Sequence, residues 1–161
     1  LTESGFRINF AQTERVKPLT SIPAGVYKAY VFDLEWGETS EESKNPGETK
    51  LKVTFKINGG PHDGRQQFRT YTFSLKSLPF FLQLAEATGK CSKAQIEGKA
   101  DITPADVDNW RGAEVAISVN RKKDSQYGLE DGFSNAVRNV YNLSDPNAAK
   151  ATVSPTDPRM P

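Results

Sequence analysis

Between residues 49 and 58 the sequence alternates without interruption. Leu51, Val53, Phe55 and Ile57 are apolar, and Lys50, Lys52, Thr54 and Lys56 stand between them. Successive side chains of a strand point to opposite faces, so this run is a strand with one dry and one wet side. A sheet built that way is antiparallel by preference and needs a cover on its dry side only. The rest of the chain must supply partner strands and that cover.

Partner strands flank it. Residues 26–36 also show period two: Val26, Tyr30, Phe32, Leu34 and Trp36 share one parity, and Tyr27, Ala29, Val31, Asp33 and Glu35 share the other. The first set is the more strongly apolar side, and the run Tyr30–Phe32 also suggests partial burial on both faces. Downstream, 65–75 reads RQQFRTYTFSL, with Phe68 on one parity and Tyr71, Phe73 and Leu75 on the other. A bulge near Arg69–Thr70 would bring them to one side; otherwise Tyr71 or Phe73 is exposed. The polar loop 37–48, with Asn45-Pro46-Gly47, and the glycine-rich turn Asn58–Gly64 join these strands.

The period then changes. Leu78, Phe81, Leu82 and Ala85 recur at helical spacing, with Ser77 as a cap, Pro79 in the first turn and Gly89 as the stop. This predicts a helix over 78–88. Residues 90–102 are polar and read as irregular. Thr103-Pro104-Ala105-Asp106 starts a short helical turn that ends near Trp110. A fourth strand is expected at 113–120 on Val115, Ile117 and Val119, and a fifth at about 133–143 on Val137, Val140, Tyr141 and Leu143.

At 161 residues one domain is the default. The expected organisation is an N-terminal arm over 1–22, in which Phe6, Ile8 and Phe10 alternate with Arg7 and Asn9, a domain over 23–143, and a tail over 144–161. The tail is rich in Pro, Ala, Ser and Thr, without periodicity, and is expected to be disordered. The fold class is all-β with one main helix, in the order strand, strand, strand, helix, strand, strand. That is the order of the OB-fold, a five-stranded Greek-key barrel, although other small barrels and α+β sheets share it. The OB-fold binds oligonucleotides on its second and third strands and on the loops joining strands one to two and four to five.

Charge falls unevenly over those places. The chain carries 21 Lys plus Arg against 20 Asp plus Glu, for a net +1. Loop 37–48 nevertheless holds four Glu and one Lys, a net −3, whereas 49–75 holds five cations against Asp63 alone, a net +4. A charged ligand responds to the local field rather than to the sum. Lys50, Lys52 and Lys56 form a basic stripe that could line a phosphate backbone. A solvated strand, or an edge protected by lysines, is the bland reading. Arg65 and Arg69 on the next strand widen the stripe into a patch. Arg121, Lys122 and Lys123, expected in the loop after the fourth strand, could clamp a single strand together with Tyr127, with cations on phosphates and a ring under a base. A charged hairpin tip has the same composition. Among Tyr27, Trp36, Tyr71 and Phe73, Tyr71 is the preferred stacking ring because of its basic neighbours, although strand rings usually belong to the core.

Other chemistries are poorly supplied. One cysteine, Cys91, leaves no disulfide framework and no Cys-rich zinc site, and fits a cytoplasmic compartment. One histidine, His62, lies in a turn with no triad partner. Gly59–Gly64 lacks the Gly-Lys-Ser/Thr ending of a phosphate loop. Asp101, Asp106 and Asp108 are close in sequence but fall in a loop and a short helix, so a metal nuclease is disfavoured. No enzyme activity, metal or organic cofactor is expected. No run approaches the roughly 20 apolar residues of a membrane span, and LTESGFRINF does not read as a secretory leader.

Several motifs resemble a known family. Ile22-Pro23-Ala24-Gly25-Val26-Tyr27 is similar to the IPAGxY opening of a family of small bacteriophage proteins long labelled as of unknown function. Leu51-Lys52-Val53-Thr54-Phe55, followed by Gly60-Pro61-His62-Asp63-Gly64-Arg65, resembles its L-x-V-x-F … G-P-x-x-G-R hairpin. Glu86-Ala87-Thr88-Gly89, Trp110-Arg111-Gly112 and Asn135-Ala136-Val137 follow in the same order, so the resemblance spans roughly 20–143. It implies an OB-fold, single-stranded-DNA-binding protein encoded near phage replication and recombination genes. The chain ends Asp157-Pro158-Arg159-Met160-Pro161, unlike the acidic, aromatic tail tip by which bacterial single-strand-binding proteins recruit partners. The site residues named above rest on position and chemistry, not on the resemblance.

The expectation is a phage-type protein that binds single-stranded DNA without sequence preference and works beside replication or recombination proteins, in the cytoplasm of the host and with self-association along the strand. The rival expectation is a non-enzymatic structural or protein-interaction module, such as a virion component, on the same barrel.

Overall fold

The computed structural model describes residues 8–11, 19–42 and 46–153, with side chains described as far as residue 149. Five strands, β1 (Gly25–Glu38), β2 (Thr49–Ile57), β3 (Gln66–Thr72), β4 (Glu114–Lys123) and β5 (Phe133–Tyr141), form one antiparallel sheet in the order β3-β2-β1-β4-β5. Between β3 and β4 run the main helix α1 (Leu78–Thr88) and two short helices, α2 (Lys93–Ile96) and α3 (Pro104–Asp108). The mostly-β class and the placement of the helix agree with the sequence reading.

The alternation of β2 translates directly into burial. Leu51, Val53, Phe55 and Ile57 are all buried, and meet Ala29, Val31 and Leu34 of β1, Val115, Ile117 and Val119 of β4, and Leu84, Ala85 and Phe81 of α1. Each such side chain contributes about 1.5–3 kcal/mol when fully removed from water.

Other expectations are corrected. The sheet is not closed into a barrel. No backbone ladder joins β3 to β5, and side chains occupy the seam instead. Arg69 Nη1 donates to the carbonyls of Val137, at 3.3 Å, and Arg138. Gln83 Oε1 on α1 accepts from the Val140 amide at 3.2 Å. A register shift opposite Ser118/Val119 leaves Arg138 unpaired with β4, so two successive β5 carbonyls can turn toward one guanidinium. Buried edges must satisfy their polar groups, and here an arginine and a glutamine do so where a fifth pairing would have.

β3 has no bulge, the first of the two alternatives left open for it; β1 has one, between Val31 and Asp33. It flips the parity. Tyr27, Ala29 and Val31 are buried before it, Leu34 after it, and Phe32 at the kink is exposed. β3 keeps one register throughout, so neither alternative holds: Tyr71 is buried, Phe73 packs against the core, and the exposed ring is Phe68. β4 runs on to Lys123, which places Arg121, Lys122 and Lys123 in a strand, paired with Asn135, Ser134 and Phe133, rather than in a loop. Residues 90–102 contain α2, whose start is a reciprocal cap between Ser92 and Gln95. Ser77 stands at the N-cap of α1 but its hydroxyl bonds Thr72 and Ser74 instead of the helix. Part of the segment expected to be disordered is ordered: Pro146–Val153 is a 3-10 helix packed on β1 and β4, with Ala148 buried. Residues 1–7 and 12–18 of the arm, 43–45 of the acidic loop and 154–161 of the tail lie outside the described residues, and Ile8 and Phe10 of the arm are exposed.

Candidate nucleic-acid interface

The outer face of β1, β2 and β3 is open. On β2 its row is Lys50, Lys52, Thr54 and Lys56, opposite Thr72, Thr70, Phe68 and Gln66 of β3. On β1 Tyr30 stands opposite Lys56, and the bulge turns Phe32 to the same side. Two large rings are therefore held outside the core, Phe32 at 42% and Phe68 at 46% exposure. The Lys56 ammonium lies 4.0 Å from the centre of the Phe32 ring, and that of Lys52 lies 4.8 Å from Phe68. Tyr30 meets Phe32 edge to face at 6.4 Å. Rings interleaved with cations on an open sheet are what a single strand of nucleic acid uses, base on ring and phosphate on ammonium.

The face has borders. Beyond the bulge Asp33 and Glu35 stand opposite Thr54 and Lys52, and Arg111 pairs with Asp33 at 3.4 Å. The described part of the acidic loop closes as a hairpin through Thr39 and Glu48. The 3-10 helix packs on β1 and β4 on the other side. Basic and aromatic groups are thus concentrated toward the β2–β3 turn.

At that end a cavity of about 380 Å³ separates β3 from the β4–β5 loop, with Arg65, Phe68 and Tyr127 among its walls. The loop is built from Asp124, whose carboxylate accepts from the amides of Gln126 at 3.2 Å and Tyr127 at 2.8 Å. Gly128 follows because a Cβ there would lie 2.2 Å from the Asp124 carbonyl oxygen. The result presents Tyr127 at 80% exposure.

The residues singled out in the sequence separate into three groups. Lys50, Lys52 and Lys56 share the open face, and Arg65 and Tyr127 line the adjoining cavity. Lys122 and Lys123 are exposed at the end of β4. Tyr71, Arg69 and Arg121 belong to the framework. Tyr71 is 3% exposed, against Phe81, so its ring cannot stack on a base. Burial pushes its hydroxyl far above its ordinary range, although the Arg69 charge opposes this, and it stays neutral. Arg69 is taken up by the β3–β5 seam. Arg121 donates to the Ser21 hydroxyl at 2.7 Å, pairs with Asp131 at 3.7 Å and lies 3.7 Å from the centre of the Phe133 ring. Phe32 and Phe68 are the rings that sequence reasoning missed. Parity set Phe68 opposite Tyr71 without saying which of the two is outward, and Phe32 carried no local signal because its side depends on the β1 bulge.

The Asp131 network anchors the segment preceding β1. The Ser21 hydroxyl donates to Asp131 at 2.6 Å and the Ser21 amide at 3.1 Å. Chiefly the hydroxyl bond, with help from the Phe133 and Ser21 amides and the Arg121 charge, holds this carboxyl below its ordinary value of 3.8, against some desolvation. A depressed folded pKa contributes stability above the unfolded value and loses it as pH falls through the folded value. Melting of the wild type and of Asp131→Asn should therefore show a gap at neutral pH that closes below about 3.8. A gap that stays constant down to pH about 2 would remove Asp131 from the linkage.

Among the described residues no three His, Cys, Asp or Glu side chains are gathered to hold a metal ion. Asp106 is engaged as the reciprocal cap of Thr103 and also accepts from Gln95 at 3.2 Å. No helix among them is long and apolar enough to cross a membrane. No protein-family model matches the chain, and no curated protein does either.

Proposed function

We propose that this protein is a single-stranded-DNA-binding protein of the OB type, using the outer face of β1–β3 and the cavity beside it. The observation that carries this reading is the pair of exposed rings, Phe32 and Phe68, each under a lysine ammonium on one open sheet face. In the free protein the ammonium groups shield the rings. A base displaces them, and each lysine then meets a phosphate of the same strand. The strand order, with β3 and β5 brought together by Arg69, supports an OB-type fold that is sealed by side chains rather than by a ladder. The resemblance to the phage family points the same way, and with it to work beside replication or recombination proteins in a host cytoplasm.

The test is fluorescence titration with oligo-dT and with a duplex of equal length over a range of salt. Binding that prefers the single strand and weakens linearly in log–log form with salt is expected, with a slope of about −0.7 per phosphate contact. Absence of binding at low salt would overturn the reading.

One observation favours the rival, a protein-interaction module. A second cavity of about 880 Å³, walled by Trp36, Phe73, Leu75, Leu78, Leu82 and Ile102, is mainly apolar and is lined by none of the three lysines. Leu75 stands almost fully exposed at its rim. DNA binding that survives Leu75→Asp and Leu82→Asp would separate the two surfaces.

A further inference from the structure

The geometry points to a base-reading pocket beside the lysine row, in which the carboxamide of Gln67 hydrogen-bonds the edge of one unstacked nucleobase. This rests on the single-strand reading above and departs from it in one respect: a protein that only stacks and neutralises would treat all sequences alike.

The pocket is the cavity of about 380 Å³ between β3 and the β4–β5 loop. That volume lies near the lower end of the 300–1,000 Å³ usual for ligand sites, so it suits one small planar group rather than a run of bases. Phe68 and Tyr127 bring rings to it, and Leu129 an aliphatic wall. Gln67 lines the same cavity from the inner side of β3 and is only 5% exposed. Its carboxamide makes no hydrogen bond among the described residues and is not among the fully buried unpartnered atoms, so it keeps access to the cavity. Asn135 on the opposite wall behaves differently. Its amide nitrogen donates to the Ile22 and Asn120 carbonyls and its oxygen accepts from the Ile22 amide, all at 2.9 Å. Asn135 is thus spent on building the wall, whereas Gln67 is the most buried of the cavity's polar side chains and is left for a ligand.

A carboxamide offers a donor and an acceptor side by side, which matches the paired acceptor and donor on the edge of an unpaired base. Its neutrality matters. The lysines contact phosphates and carry no sequence information, whereas contacts to base edges do. The cavity opens beside Phe68, so a base stacked on that ring has its neighbour within reach of the pocket.

The experiment measures affinities of the full chain for dT, dA and dC oligonucleotides of equal length, for wild type and for Gln67→Met, with melting curves to check that the variant is folded. The wild type is expected to prefer one homopolymer over the weakest by about tenfold, and Gln67→Met to reduce the spread to about twofold by weakening the preferred one. Equal wild-type affinities for all three would overturn the pocket while leaving the DNA reading intact, and this arm needs no variant. A spread that persists in a folded Gln67→Met would also overturn it. Failure to bind any of the three would overturn the DNA reading itself.

Discussion

Replacing Phe32 and Phe68 together by alanine is expected to lower affinity for single-stranded DNA by about 30-fold or more. Each ring that stacks on a base is worth about 1–3 kcal/mol in sites of this kind, and the two losses add. The lysine–ring contacts vanish as well, but exposed contacts of that type are worth only about 0.5–1 kcal/mol. Because both rings are roughly half exposed, their removal leaves no cavity in the core. Stability should fall by no more than about 1–2 kcal/mol, the two lysine–ring contacts together. The two readouts together separate a lost binding surface from a lost fold. If the folded double variant bound within about threefold of wild type, the stacking role of this face would be refuted.

The second large effect concerns the core. Trp110→Ala is expected to destabilise the protein by about 3–5 kcal/mol, measured by urea unfolding. Trp110 is 1% exposed, sits just after α3 and lies 5.4 Å from the ring of Phe81. Phe81 in turn touches Tyr71 and Phe73, at centroid distances of 6.1 and 4.8 Å. The indole therefore joins the α3 end, α1 and the close of β3 into one packed unit. Against a typical total of about 5–15 kcal/mol, the loss is large enough to leave part of the chain unfolded. Leu75→Ala is the control, since that side chain is 89% exposed and its loss should be nearly neutral. A Trp110→Ala cost below about 1 kcal/mol would mean that this unit does not contribute to global stability.

Much of the architecture was legible because it is written in local periodicity. β2 declared itself through strict alternation, α1 through its three- and four-residue spacing, and α3 through Thr103 and Asp106, which cap each other as expected. The start of α2 was legible too, in Ser92 and Gln95 three residues apart, and was passed over because its surroundings are polar. The binding face was half legible. The lysine row follows from β2 alone, whereas its rings come from β1 and β3, whose parity turns on a single residue. Choosing Tyr71 followed from reading chemistry by neighbourhood in sequence. Arg69 and Tyr71 are indeed adjacent, at 5.1 Å, but inside the framework.

The sequence by itself determined the number and type of the main elements, their order, and the dry and wet sides of β2, since each depends on residues a few positions apart. Only the tertiary structure decided which side of β1 and β3 is dry. One bulge at Phe32 inverts every side chain beyond it, and a strand's register is settled by partners far away in the chain. The same holds for the gap between β3 and β5. Whether two edges meet through a ladder or through Arg69 depends on where α1 and the β5 bulge come to rest, and no local pattern encodes that.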